Sequence, residues 1–160
     1  IPPRRGPSHL HQLLDELEKI RPPGETSCAA SLDEVGGRLR KRGLLVVLSD
    51  LLDDPPRTLA SLKVLRGMKN EVIVFHLLDR DEIEFPFSQL MDFEDMETGA
   101  RLRLDCEAIR RAYLDRLRGF TGFFAEECPR AGIDYVTVKT SEPFHDVLVR
   151  YLQKRNEVKR

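Results

Sequence analysis

The chain has 160 residues, of which 41% are hydrophobic and 33% charged, with 26 basic and 27 acidic side chains giving a net charge of −1. That length suits a single domain able to bury about 70% of its unfolded surface. The charge balance excludes the basic footprint of a nucleic-acid binder, and no apolar run approaches the ~20 residues that cross a bilayer.

The opening IPPRRGP has linker character and does not start with methionine, so the chain is expected to be a piece of a longer protein. Ser8 is expected to cap a first helix whose Leu10, Leu13, Leu14, Leu17 and Ile20 follow helical spacing, and Pro22-Pro23-Gly24 to end it. A second helix should start at Thr26 or Ser27 and run to Arg42, burying Cys28, Leu32, Val35 and Leu39. Gly36-Gly37 marks either close packing or a frayed middle. The run LLVVL at 44–48 reads as a fully buried strand that ends in Ser49 and Asp50. Asp54 before Pro55-Pro56 is a helix start, and that helix should bury Leu59, Leu62 and Leu65 and stop at Gly67.

VIVFHLL at 72–78 is a second apolar strand, and apolar strands separated by helices indicate a parallel sheet covered on both faces. DRDEIEFPF reads as loop. MDFEDMETGARLRLD alternates around Glu97-Thr98-Gly99 as a β-hairpin, placing an insertion at about 88–105. A long helix is expected from Cys106 to Arg130, disturbed by Pro129, then a third parallel strand at 133–138. A last helix should turn Phe144, Val147, Leu148, Tyr151 and Leu152 inward. Three parallel strands are few for such a fold, so the first strands are expected to precede Ile1.

In open α/β sheets, ligands bind beyond the carboxyl ends of the strands, and Asp50 stands one residue past such an end. It reads either as a turn cap or as a ligand for a hard cation such as Mg²⁺, which takes one or two carboxylates and keeps several waters. Thr26 has the same two readings, helix cap or oxygen ligand. Asp53 and Asp54 read as turn and cap. Asp79, Asp81, Glu82 and Glu84 read as a solvated loop, with a second cation site as the alternative. His76 reads as a hydrogen-bonded core or edge residue. Phe85 and Phe87 either pack under the hairpin or offer a partner an aromatic surface. The three cysteines, Cys28, Cys106 and Cys128, form no CxxC pair and read as reduced packing thiols of a cytoplasmic domain. The chain carries no GxSxG elbow, P-loop or GxGxxG fingerprint.

The strings GETSCAASL, GLLVVLSDLLDD, EVIVFHLLD, FEDMETGARLRLD and GIDYVTVKTSEP, in this order and spacing, resemble the C-terminal half of the bacterial family called domain of unknown function 58. Its core is similar to a von Willebrand factor type A domain. The resemblance implies a partial von Willebrand A-like, Rossmann-like α/β fold in three layers, with parallel core strands and an inserted hairpin. On this reading residues 1–160 form one N-terminally truncated domain, and the strands here are the fourth to sixth of six. The resemblance also implies a metal-ion-dependent adhesion site. Thr26 and Asp50 stand where its threonine and later aspartate would be, and the DxSxS motif that completes it is absent from this chain.

The implied function is a non-enzymatic protein-interaction module, a Mg²⁺-dependent adaptor for a MoxR-class AAA+ ATPase or an assembly complex. The implied location is cytoplasmic, with a parent protein associated with the membrane. The alternative is a metal-dependent hydrolase or phosphotransfer enzyme using Asp50, for which Lys139 and Thr140 are the only second groups in sight. The unpaired apolar edge of the strand at 44–49 leads to the expectation of a homo-oligomer, formed through that edge or through exchanged N-terminal helices.

Overall fold

The computed structural model describes residues 6–20, 27–95 and 98–158. Helix α1, Pro7–Lys19, starts on Gly6, whose φ of 116° suits only glycine, with proline in its first turn. Ser8 is therefore inside the helix and not its cap. None of the α1 side chains is buried. Helix α2, Cys28–Arg38, is capped by Ser27, whose hydroxyl accepts from the Ala30 N–H, and ends at Leu39 instead of running to Arg42. It buries Ala29 and Leu32, while Val35 on the expected stripe is exposed. At Gly36 a Cβ would stand 3.2 Å from Leu65 Cδ2, so the glycine marks close packing of one helix on the next.

Strand β1, Leu44–Ser49, leads into helix α3, Pro55–Gly67, where the Asp54 side chain accepts from the Arg57 N–H. The three leucines Leu59, Leu62 and Leu65 are buried, as their spacing implied. Strand β2, Glu71–Leu78, follows. Asn70, buried just before it, accepts from the Gly43 N–H and donates to the Leu65 carbonyl, tying the end of α3 to the start of β1.

Part of the segment expected as loop, residues 80–84, is helical. Asp79 and Glu82 form a reciprocal capping box at the start of the short helix α4, Arg80–Glu84. The D-x-x-E spacing carried that signal in the sequence. Strands β3, Leu90–Glu94, and β4, Arg101–Asp105, pair antiparallel as the expected hairpin. Phe85 is buried and Phe87 half-buried beneath it, their rings meeting each other, Phe93 and Tyr113. Helix α5, Cys106–Arg130, carries Pro129 in its last turn and gives way to Gly132 at φ 71°. Strand β5, Asp134–Lys139, and helix α6, Phe144–Val158, complete the described chain.

The three-stranded sheet has the order β1-β2-β5, parallel throughout, with Val46 beside Ile73 and Ile73 beside Asp134. Alternate side chains divide its two faces. One face (Leu45, Val47, Val72, Val74 and Tyr135) packs against α2, α3 and α5 through Leu32, Leu62, Leu65, Phe124 and Cys128. The other (Ile73, Phe75, Val136 and Val138) packs against Val147 and Tyr151 of α6. Helices therefore cover both faces of a parallel sheet, a Rossmann-like α/β arrangement.

Cover is incomplete on the α6 side. Leu44, Val46 and Leu48 are 54%, 49% and 66% exposed, so β1 is not the fully buried strand that its composition suggests. Phe144, Leu148 and Leu152 of α6, expected to point inward, are exposed as well. Among the described residues, no helix covers the β1 column of this face. No helix among the described residues is long and apolar enough to cross a membrane.

Candidate functional site at the carboxyl rim of the sheet

The carboxyl ends of β1, β2 and β5 carry Ser49-Asp50, Leu78-Asp79 and Lys139-Thr140. Beyond β1 the chain reverses sharply. Leu51 has a φ of 56°, a left-handed conformation costly for a branched side chain, and its side chain is fully buried. The turn is fastened from both sides. The Leu51 N–H donates to Ser49 Oγ at 3.0 Å, the Leu52 N–H donates to Asp50 Oδ1 at 3.2 Å, and the Asp53 N–H donates to the Leu51 carbonyl at 2.7 Å. Asp50 is left exposed at the rim beside the Ser49 hydroxyl, which lies 3.4 Å from its Oδ1.

The backbone of Asp50 is held by a buried histidine. His76 Nε2 lies 2.8 Å from the Asp50 carbonyl oxygen, and Nδ1 lies 2.6 Å from the Tyr135 hydroxyl. A carbonyl can only accept, so Nε2 carries the proton and the Tyr135 O–H donates to Nδ1. Burial holds the imidazole below its ordinary pKa, the neutral form that this pattern needs. The rings of Phe120, Phe124 and Tyr135 meet the imidazole edge-on at centroid distances of 5.5, 6.1 and 5.8 Å. Of the two readings of His76, core or edge, the structure shows the core. Its link to Asp50 was not legible, because neither Tyr135 nor the Asp50 carbonyl lies at a recognisable spacing.

Asp53 is a cap, but for a different helix than its neighbour. Its Oδ2 accepts from Ser27 Oγ at 2.7 Å and from the Ala29 N–H at 3.0 Å, while Oδ1 accepts from the Asp54 N–H. The Ala29 N–H, then the Ser27 hydroxyl, hold its carboxyl below the usual range. Both oxygens are thus engaged, Oδ2 in closing the start of α2 and Oδ1 in its own turn. The Cys28 thiol nearby is pushed up by burial.

Asp79 is likewise engaged. It accepts from the Asp81 N–H at 2.8 Å and from Thr140 Oγ1 at 2.7 Å, and these donors lower its pKa. Thr140, considered as a second catalytic group, therefore clasps the ends of β2 and β5 together. Thr26, the other expected ligand, lies outside the described residues. Among the described residues no group of three or more His, Cys, Asp or Glu side chains is arranged to hold a metal ion. The chemistry on offer after β1 is the exposed Asp50 carboxylate with the adjacent Ser49 hydroxyl, enough for part of a Mg²⁺ shell that otherwise consists of water.

Below this rim, an open groove of about 680 Å³ follows the outer edge of β1, lined by Cys28, Leu32, Val35, Val46, Leu48 and Asp50 among others. It joins the candidate carboxylate to the uncovered apolar strand.

The family model described as protein of unknown function DUF58 matches residues 1–119. The chain belongs to that family. The match takes in Ser49, Asp50, Asp53, His76 and Asp79, and it stops within α5, before Tyr135 and Thr140. No curated protein and no solved structure matches the chain.

Proposed function

We propose that this member of the DUF58 family is a protein-interaction module of von Willebrand A type, acting as a Mg²⁺-dependent adaptor for a MoxR-class AAA+ ATPase in the cytoplasm. The observation that carries the reading is the state of Asp50. Among the described residues, Asp53 and Asp79 have both carboxylate oxygens in hydrogen bonds, whereas Asp50 uses Oδ1 alone, for its own turn, and stands exposed on a backbone fastened by His76. In the intact protein Asp50 and Thr26 supply oxygen ligands, and the ion takes an acidic side chain from the partner as a further ligand. Mg²⁺ would supply charge neutralisation between two carboxylates that otherwise repel; the chain supplies position. The resemblance of the Thr26 and Asp50 strings to the adhesion-site pattern supports the same reading.

The second contact surface is the bare edge of β1. Its outer backbone groups, which pair with no strand among the described residues, and Leu44, Val46 and Leu48 beside them, suit pairing with the same edge of a second copy.

The direct test is co-purification of the intact protein with a MoxR-class ATPase, in Mg²⁺ and in chelator, for wild type and Asp50→Asn. Recovery that needs both Mg²⁺ and Asp50 supports the adaptor reading. Recovery indifferent to both overturns it.

A further inference from the structure

The geometry points to His76 as the positioning residue for Asp50, through a hydrogen bond to its backbone and not to its carboxylate. This deepens the adaptor reading and rests on Asp50 facing a ligand.

His76 interrupts an otherwise apolar strand and is fully buried. A leucine or phenylalanine there would fill the same space without the cost of burying a polar ring, a cost offset only when both nitrogens are satisfied. Both are, and the two bonds differ in what they reach. Tyr135 comes from β5, at a position paired with Val74 of β2. The Asp50 carbonyl comes from the first residue past β1, where regular pairing has ended and the chain turns.

Register explains how His76 reaches it. Ser49 is the strand partner of His76, so the Asp50 peptide lies immediately beyond the last paired position. Without a donor there, the Asp50 carbonyl would lose its partner at the point where Leu51 enters its left-handed conformation. With Ser49 held at the last paired position of β1 and the Asp50 carbonyl fixed by His76, the peptide planes on both sides of the Asp50 Cα are set, and so is the direction of its Cα–Cβ bond. The aromatic rings around His76 keep the imidazole from turning away.

A core histidine serving only stability would affect the whole domain alike, so the test reads Asp50 locally. In the metal-free protein, long-range ¹H–¹⁵N NMR correlation reports the imidazole tautomer. The expected form carries its proton on Nε2, and a proton on Nδ1 would overturn the inference without any variant. His76→Asn keeps only an amide near the Nδ1 position, and His76→Gln restores a donor near Nε2. Loss of one buried hydrogen bond corresponds to about a tenfold change in local opening. In His76→Asn, the Leu52 amide is therefore expected to exchange about tenfold faster and the Asp50 carbonyl carbon to shift, with recovery in His76→Gln. Tyr135→Phe, which spares the Asp50 bond, should leave the Leu52 amide within about twofold of wild type. Unchanged exchange at Leu52 in a folded His76→Asn protein sinks the inference. Mg²⁺ titration of the same variants is read separately. Should Mg²⁺ not bind the wild type while the Leu52 effect stands, the adaptor reading fails and the positioning role survives.

Discussion

Asp53 Oδ2 accepts the Ser27 hydroxyl at 2.7 Å, so an acid that follows β1 closes the start of a helix that precedes it in the chain. The next residue, Asp54, caps α3 instead. Two adjacent carboxylates thus fasten two helices that pack side by side, and the turn after β1 becomes the junction of α2, α3 and the rim.

The cap gives Asp53 a pH signature. Its donors favour the ionised form, so the folded pKa lies below the unfolded value of about 3.9. A carboxylate depressed in this way contributes stability that is present above the unfolded value and is lost as the pH falls through the folded one. Asp53→Ala should cost about 1 kcal/mol at pH 7, in line with other helix caps. The wild type and variant should converge as the pH falls below about 4. Urea midpoints measured across that range check both statements; a difference that persists at low pH would show that Asp53 acts by packing and not by charge.

The strand and helix pattern was legible because it rests on local signals. Asp54-Pro55-Pro56 sets the start of α3, and the apolar runs at 44–48 and 72–78 set β1 and β2. What composition could not reveal was neighbourhood. LLVVL has the content of a buried strand, yet it lies at the sheet edge, where among the described residues one face lacks a covering helix. The α6 residues Phe144, Leu148 and Leu152 obey helical spacing, but only Val147 and Tyr151 meet the sheet. At the site, Asp50 was found from its place after a strand. The residues that hold it, His76 and Tyr135, come from other strands, and Asp53 reaches a helix no local rule connects to it. The α4 capping box was a local signal within reach of the sequence.

The two adjacent glycines of α2 should behave oppositely. Adding a Cβ at Gly37 meets nothing within 4 Å, so Gly37→Ala is expected to stabilise by about 0.5–1 kcal/mol through helix propensity and reduced unfolded-state entropy. At Gly36 the new carbon would press on Leu65 at 3.2 Å, and Leu65 is locked in the core. Gly36→Ala should therefore forfeit that gain and end level with or below wild type. Thermal unfolding of both variants decides it, and equal stabilisation would mean that Leu65 yields freely.

Thr58 is fully buried in α3, and among the described residues its Oγ1 has no hydrogen-bond partner. An unsatisfied buried hydroxyl costs about 1–3 kcal/mol relative to a satisfied one. Thr58→Val replaces it with a methyl of similar shape, and is expected to raise the unfolding midpoint by the equivalent of about 1 kcal/mol. A lowered midpoint would indicate that the hydroxyl is satisfied by an ordered water.

Cysteine labelling reads burial directly. Cys128 is fully buried and its thiol is pushed up to about 11 by burial, so almost none is thiolate at neutral pH. Cys106 is equally buried, while Cys28 is half-exposed. Alkylation of the native chain followed by mass spectrometry should modify Cys28 first, with Cys106 and Cys128 reacting only once urea unfolds the domain. Early labelling of Cys128 would show that α5 opens from the sheet.

The edge of β1 supplies the last expectation. An edge strand without charge, proline or bulge is a template for pairing, and LLVVLS has none of these protections. Leu44, Val46 and Leu48 lie on the face shared with Ile73 and Phe75, and the α6 residues Val147 and Tyr151 cover the latter pair alone. Pairing of two such edges would join the sheets and bring both sets of exposed side chains against each other. Light scattering at micromolar concentration should report a dimer or larger assembly. Val46→Lys with Leu48→Lys should weaken it by at least about a hundredfold, because each buried charge costs more than about 1.4 kcal/mol, a factor of about ten. Both side chains are exposed in the single chain, so circular dichroism should be unchanged by the double substitution. A wild type that remains monomeric at that concentration would rule out self-association through β1 and leave the groove beside it to a different partner.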